Sequence, residues 1–96
     1  MIAVDSKHFS SLYDSLVYVD SKTININFDN KRMYWNTGIS KSINSYELKD
    51  LLIVCESAIL CKTVHIMIHD TYLVFNMNLS KIGKIRFIVN QVQQIE

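Results

Sequence analysis

The sequence predicts a small α+β domain: a four-stranded antiparallel sheet made of two hairpins, with helices gathered on one face, in the order αββαββα. Three observations carry this. The spacing of apolar residues switches between a period of 3.6 and a period of 2 along the chain, turn-forming Asx pairs separate the period-2 runs, and 96 residues suffice for one core. On surface scaling, a chain of this size buries roughly 65% of its unfolded surface, so residues 1–96 are read as a single domain that needs no metal or disulfide staple.

Helix one is expected over residues 7–18, where Phe9, Leu12, Tyr13, Leu16 and Val17 recur at helical spacing behind Ser6 as cap. The period then becomes 2. Ile24, Ile26 and Phe28 alternate with Asn25 and Asn27, and Met33 and Trp35 alternate with Arg32 and Tyr34. With Asp29 and Asn30 as a two-residue loop, Ile26 faces Met33 and Ile24 faces Trp35, and the polar residues share the opposite face. Helix two is expected over residues 45–60, with Asn44 and Glu47 at capping-box spacing before Leu48, Leu51, Leu52, Cys55 and Ile59. Apolar residues lie on most of its sides, which fits a central helix or a subunit contact.

The second hairpin turns at Asp70 and Thr71, pairing Ile68 with Leu73, Ile66 with Phe75 and Val64 with Met77. For the C-terminal stretch two periods compete. Ile82, Ile85, Ile88, Val89, Val92 and Ile95 fall within about 140° of a helical wheel, with Ser80 as a cap. Residues 84–90 also alternate as a strand, and Gly83 weakens a helix; the Gln-rich end decides for a third helix. Trp35, Ile24, Ile66 and Phe75 are then expected beneath helix two.

Composition excludes more than it selects. Ten Lys and Arg against nine Asp and Glu leave a net charge of +1, so no sequence-wide field selects nucleic acid or an anionic membrane. The polar start and the short apolar runs point to no signal peptide and no membrane span, hence to a cytoplasmic protein. Cys55 and Cys61, six positions apart, lack the spacing of a zinc or redox motif and read as free thiols. His65 and His69 have the H-x3-H spacing that chelates on a helix, but on a strand they stand about 13 Å apart. No cofactor and no metal is expected, and no phosphate loop or nucleophile elbow is present to make the chain an enzyme.

What remains is a surface. The sheet face away from the helices would present Arg32, Tyr34, His65, Met67, His69 and Tyr72, a mixture of aromatic, Met and Arg side chains of the kind enriched where proteins dock. The expected function is a non-catalytic protein-binding module, nearer to a small inhibitor or toxin-immunity protein than to a secretion chaperone or adaptor. Its partner is another protein, or a second copy in a homodimer. A single-stranded nucleic-acid binder stacking bases on Tyr34 and Tyr72 is the alternative from another class. Gly38, Ser40, Lys41 and Ser42 are the second choice of site.

Overall fold

The computed structural model describes residues 1–36 and 45–92. In chain order it contains β1 (Ile2–Asp5), α1 (Ser6–Leu16), β2 (Thr23–Asp29), β3 (Arg32–Asn36), β4 (Ser45–Glu47), α2 (Leu48–Ala58), β5 (Thr63–Ile68), β6 (Tyr72–Asn78) and β7 (Lys84–Asn90). The class is α+β, with a four-stranded antiparallel sheet in the order β1-β5-β6-β7. A second, three-stranded antiparallel sheet has the order β3-β2-β4.

The two expected hairpins form, but in different sheets, because each finds another strand at its side. β5 takes β1 and β6 takes β7, while β2 takes β4 on the side away from β3. The order αββαββα is corrected accordingly: β1 precedes α1, β4 precedes α2, and β7 replaces the third helix. The strand wins at β7 because Leu73, Phe75 and Met77 on β6 stand opposite Val89, Phe87 and Ile85. A helix would leave the ladder groups of β6 unpaired at a buried edge. Ser80 does not cap a helix; with φ 61° there and φ 127° at Gly83, the chain closes a tight connection in which the Leu79 amide donates to the Gly83 carbonyl at 2.7 Å. Gln93 to Glu96 lie outside the described residues.

In the first hairpin the loop is Asn30 and Lys31, both at positive φ (50° and 63°), which is the signature of a type I′ turn. Ile26 therefore faces Trp35, Phe28 faces Met33 and Asp29 faces Arg32. Relative to the expected register this is a shift of two positions, which keeps every side chain on its expected face and places an acid opposite a base. The second hairpin has the register read from the sequence.

Both helices start where a strand ends, and their caps reflect it. Asp5 rather than Ser6 caps α1, its carboxylate accepting from the Lys7 amide at 2.9 Å. No side chain caps α2; the Leu48 amide instead donates to the Lys22 carbonyl at 2.9 Å, continuing the β2–β4 ladder into the helix. Asn44, the expected cap, lies outside the described residues.

One core serves all layers. Phe9 of α1, Leu51, Val54, Cys55 and Ala58 of α2, Ile24 and Ile26 of β2, Val64 and Ile66 of β5, and Leu73, Phe75 and Met77 of β6 are buried in a single cluster. The expected core positions Ile24, Ile66 and Phe75 are in it, whereas Trp35 is only half-buried and meets α1 instead of α2. Its ring stands edge-on to Phe9 at 6.2 Å between centroids, and Phe75 approaches the same ring at 6.2 Å from the other sheet. Ile53 of α2, and Ile59 and Leu60 just past its end, remain exposed.

Candidate functional site

Strand alternation sorts the four-stranded sheet into two faces. Val64, Ile66, Leu73, Phe75, Met77 and Val89 point into the core, so His65, Met67, Tyr72, Val74, Asn76, Arg86 and Ile88 occupy the other face. Register arranges them in rows across the strands. Met67, Val74 and Ile88 form one row, and His65, Asn76 and Arg86 form the next. No helix sits on this face among the described residues: Ile88 is 60% exposed and His65 and Arg86 are exposed. Val74 is nevertheless buried at 6%, because Met67 and Ile88 flank it on both sides.

Polar contacts give the face a fixed shape. The Arg86 Nε donates to Asn76 Oδ1 at 2.9 Å, laying the guanidinium back over the sheet. At the end of the hairpin the rings of His69 and Tyr72 stack at 4.3 Å with 15° between their planes. Beside Arg86 and Lys84, a shallow groove of about 720 Å³ is lined by Met1, His65, Met67 and Asn76. The resulting surface has an apolar ridge, an aromatic end and a basic flank.

Four of the six expected site residues, His65, Met67, His69 and Tyr72, thus lie together. Arg32 and Tyr34 do not join them, since β3 belongs to the three-stranded sheet; both are exposed there, Tyr34 at 49%. Asn25, expected on the same open face as Tyr34, is buried instead, because β4 packs alongside and Ser45 Oγ donates to Asn25 Oδ1 at 2.6 Å. The second-choice residues Gly38, Ser40, Lys41 and Ser42 lie outside the described residues.

Arg86, Ile88 and Lys84 are the surface residues that sequence reasoning missed as part of this site. Their signal was the alternation over 84–90, which the helical reading of the same stretch overrode. Elsewhere three acidic side chains have structural roles. Asp5 caps α1, Glu56 accepts from the Tyr13 hydroxyl at 3.2 Å between the two helices, and Glu47 pairs with Lys49 at 3.3 Å on the surface. The Glu56 contact raises the Tyr13 phenol above its ordinary range, by hydrogen bond first and charge second. The Cys55 thiol, buried in the core, is pushed up to about 12, chiefly by desolvation. Cys55 and Cys61 are both free. Among the described residues no helix is long and apolar enough to cross a membrane, and no three His, Cys, Asp or Glu side chains gather as metal ligands.

No family model, curated protein or solved structure matches this chain.

Proposed function

We propose that this chain is a non-catalytic protein-binding module, of the small-inhibitor or immunity-protein kind, and that it docks its partner on the outer face of the four-stranded sheet. The carrying observation is the Met67–Val74–Ile88 row on an open face, an apolar ridge where a sheet facing water would carry polar side chains. The stacked His69–Tyr72 pair supplies a rigid aromatic anchor at one end, and Lys84, Arg86 and His65 form the rim. The partner that fits is a protein surface with an apolar strip flanked by carboxylates. Charge at the rim then governs how fast the two meet, and the ridge governs how long they stay.

The test is capture from a lysate of the native host with the chain immobilised, mass spectrometry of what is retained, and repetition with two variants. A Met67→Asp, Tyr72→Ala double variant should fold and lose the partner, since central aromatic anchors are each worth about 2 kcal/mol or more in binding. Tyr34→Ala, on the other sheet, should retain it. Retention by the double variant, loss on Tyr34→Ala alone, or capture of RNA in place of protein would overturn the reading.

A further inference from the structure

The register of the four-stranded sheet gathers two connections at one end of the molecule. Asp5 opposes Thr63 and Asn78 opposes Lys84, one residue beyond the pair Val64 and Met77. Past that last rung lie residues 59–62, which lead from α2 into β5, and residues 79–83, which join β6 to β7. α1 starts at the same end, where the Ser6 amide donates to the Lys62 carbonyl at 2.9 Å.

What these segments expose is aliphatic and basic. Ile59 is 66% exposed, Leu60 61% and Ile82 85%, and Lys7, Lys62, Lys81 and Lys84 are exposed at the same end. Among the described residues none of these four ammonium groups is paired with a carboxylate, and Asp5, the acid on the last rung, has its own carboxylate engaged by the Lys7 amide. Carboxylates collect at the opposite end. There the Gln91 amide donates to the Thr71 carbonyl, Tyr46 stands opposite Gln91 and the Leu48 amide donates to the Lys22 carbonyl, which brings Glu47, Asp50 and Asp70 to that end together with Lys22 and Lys49. A net charge of +1 thus hides a separation of charge from end to end.

The backbone at the basic end needs little from water. The Leu79 amide donates to the Gly83 carbonyl at 2.7 Å, the Ser80 amide to Asn78 Oδ1 at 3.1 Å and the Ile82 amide to the Leu79 carbonyl at 3.3 Å. The Leu60 and Cys61 amides donate to the Ser57 and Ala58 carbonyls at 3.0 and 3.2 Å. Turns whose donors are bonded internally lose less on leaving water. Residues 59–63 and 79–84 hold no aromatic side chain and no Arg, the types that anchor protein partners and stack on bases. Aliphatic tips among lysines suit hydrocarbon lying beneath anionic headgroups, because the methyl groups can enter the acyl layer while the long lysine stems reach back to phosphate.

We propose that this end of the molecule docks on an anionic lipid bilayer, with Ile82 entering the boundary between headgroups and acyl chains, Ile59 and Leu60 beside it, and the four lysines on lipid phosphates. The separation of charge turns this end towards the bilayer before contact.

Co-sedimentation with phosphatidylcholine vesicles, with and without about 30% phosphatidylserine, tests the docking. The expected result is binding to the phosphatidylserine vesicles that weakens about ten-fold or more between about 0.1 and about 0.5 M salt, and no binding to phosphatidylcholine alone. Lys62→Gln with Lys81→Gln should weaken binding about 25-fold, since each lysine near such a surface is worth about five-fold. Lys22→Gln with Lys49→Gln changes the net charge equally at the other end and should bind as the wild type does. Ile82→Asp, at an exposed turn position where the variant should fold, should weaken binding about ten-fold or more. Failure of the wild type to bind the phosphatidylserine vesicles, equal weakening by the two double variants, undiminished binding by Ile82→Asp, or tighter binding to polyuridine than to the vesicles overturns the proposal. Met67→Asp, on the outer sheet face, should still bind the vesicles, so loss of a docked protein and loss of lipid binding are told apart.

Discussion

At the scale of single residues, the clearest physical consequence of the fold is at Cys55. Spacing alone marks it as a small core side chain, and in the structure it is fully buried on α2, with its thiol pushed up to about 12 by desolvation. In the unfolded chain the same thiol ionises near about pH 8.5. Between those values the folded state holds a proton that the unfolded state has released, so the unfolded state gains relative stability as pH rises. The thiol's contribution is thus complete below about pH 8.5 and is lost progressively towards about 12. Tyr13 and Tyr46 titrate in the same direction, Tyr46 because of its burial, and add to the decline. Comparison with Cys55→Ala isolates the cysteine: urea titrations of both proteins from neutral to alkaline pH should show the wild-type advantage shrinking above about pH 9. An advantage that stayed constant would mean the thiol is solvated. Cys61 is less buried and bonds weakly to the Ala58 and Thr63 carbonyls at 3.4 and 3.5 Å, and it should be the first thiol to react in the native protein.

At the scale of elements, periodicity located both helices and four of the strands, and the misreadings fall at their ends. The start of α1 was ambiguous because two adjacent residues, Asp5 and Ser6, are both good caps. The choice belongs to Asp5 because its backbone is extended (φ −62°, ψ 135°) and its carboxylate accepts from the Lys7 amide, whereas Ser6 is already the first residue of the helix. Asp5→Ala should therefore lower stability by about 1 kcal/mol, and Ser6→Ala by less than about 0.5 kcal/mol, in denaturant titration. The reverse order would place the cap at Ser6. Short β1 and β4 were invisible because four- and three-residue strands carry too little alternation to read. β7 was visible as one of two competing periods, and only the unpaired edge of β6, a feature of tertiary structure, decides between them. The site inherited these errors. His65, Met67, His69 and Tyr72 were legible from the register of one hairpin, but Arg86 and Ile88 were hidden by the helical reading of β7. Arg32 and Tyr34 were misassigned because no sequence pattern says which hairpins share a sheet.

For the whole molecule, two sheets raise the question of one cooperative unit or two. Among the described residues their hydrogen-bonded seam includes the Ser45–Val92 bond, the Tyr46–Gln91 bridge and a long Gln91 Nε2 to Tyr46 Oη bond at 3.4 Å. Side chains bind them more firmly. Phe9 touches Trp35 from the three-stranded sheet and Phe75 from the four-stranded sheet, each edge-on at 6.2 Å, so a single ring on α1 links both sheets. Ile24 and Ile26 lie in the same buried cluster as Ile66 and Phe75, which leaves neither sheet a core of its own. Opening one sheet would expose the inner face of the other, and a domain of this size then unfolds in one step. The sequence holds a single tryptophan, on β3, so its fluorescence reports the three-stranded sheet while far-UV circular dichroism reports the whole backbone. The two denaturation curves of the wild type should coincide. Phe9→Leu keeps most of the volume but removes both edge-on contacts, worth about 0.5 to 1.5 kcal/mol each, and should move the two curves together by about 2 kcal/mol. If tryptophan fluorescence changed at lower denaturant than circular dichroism in the wild type, the three-stranded sheet would be a separate unit, and Phe9 would not be the link between the two.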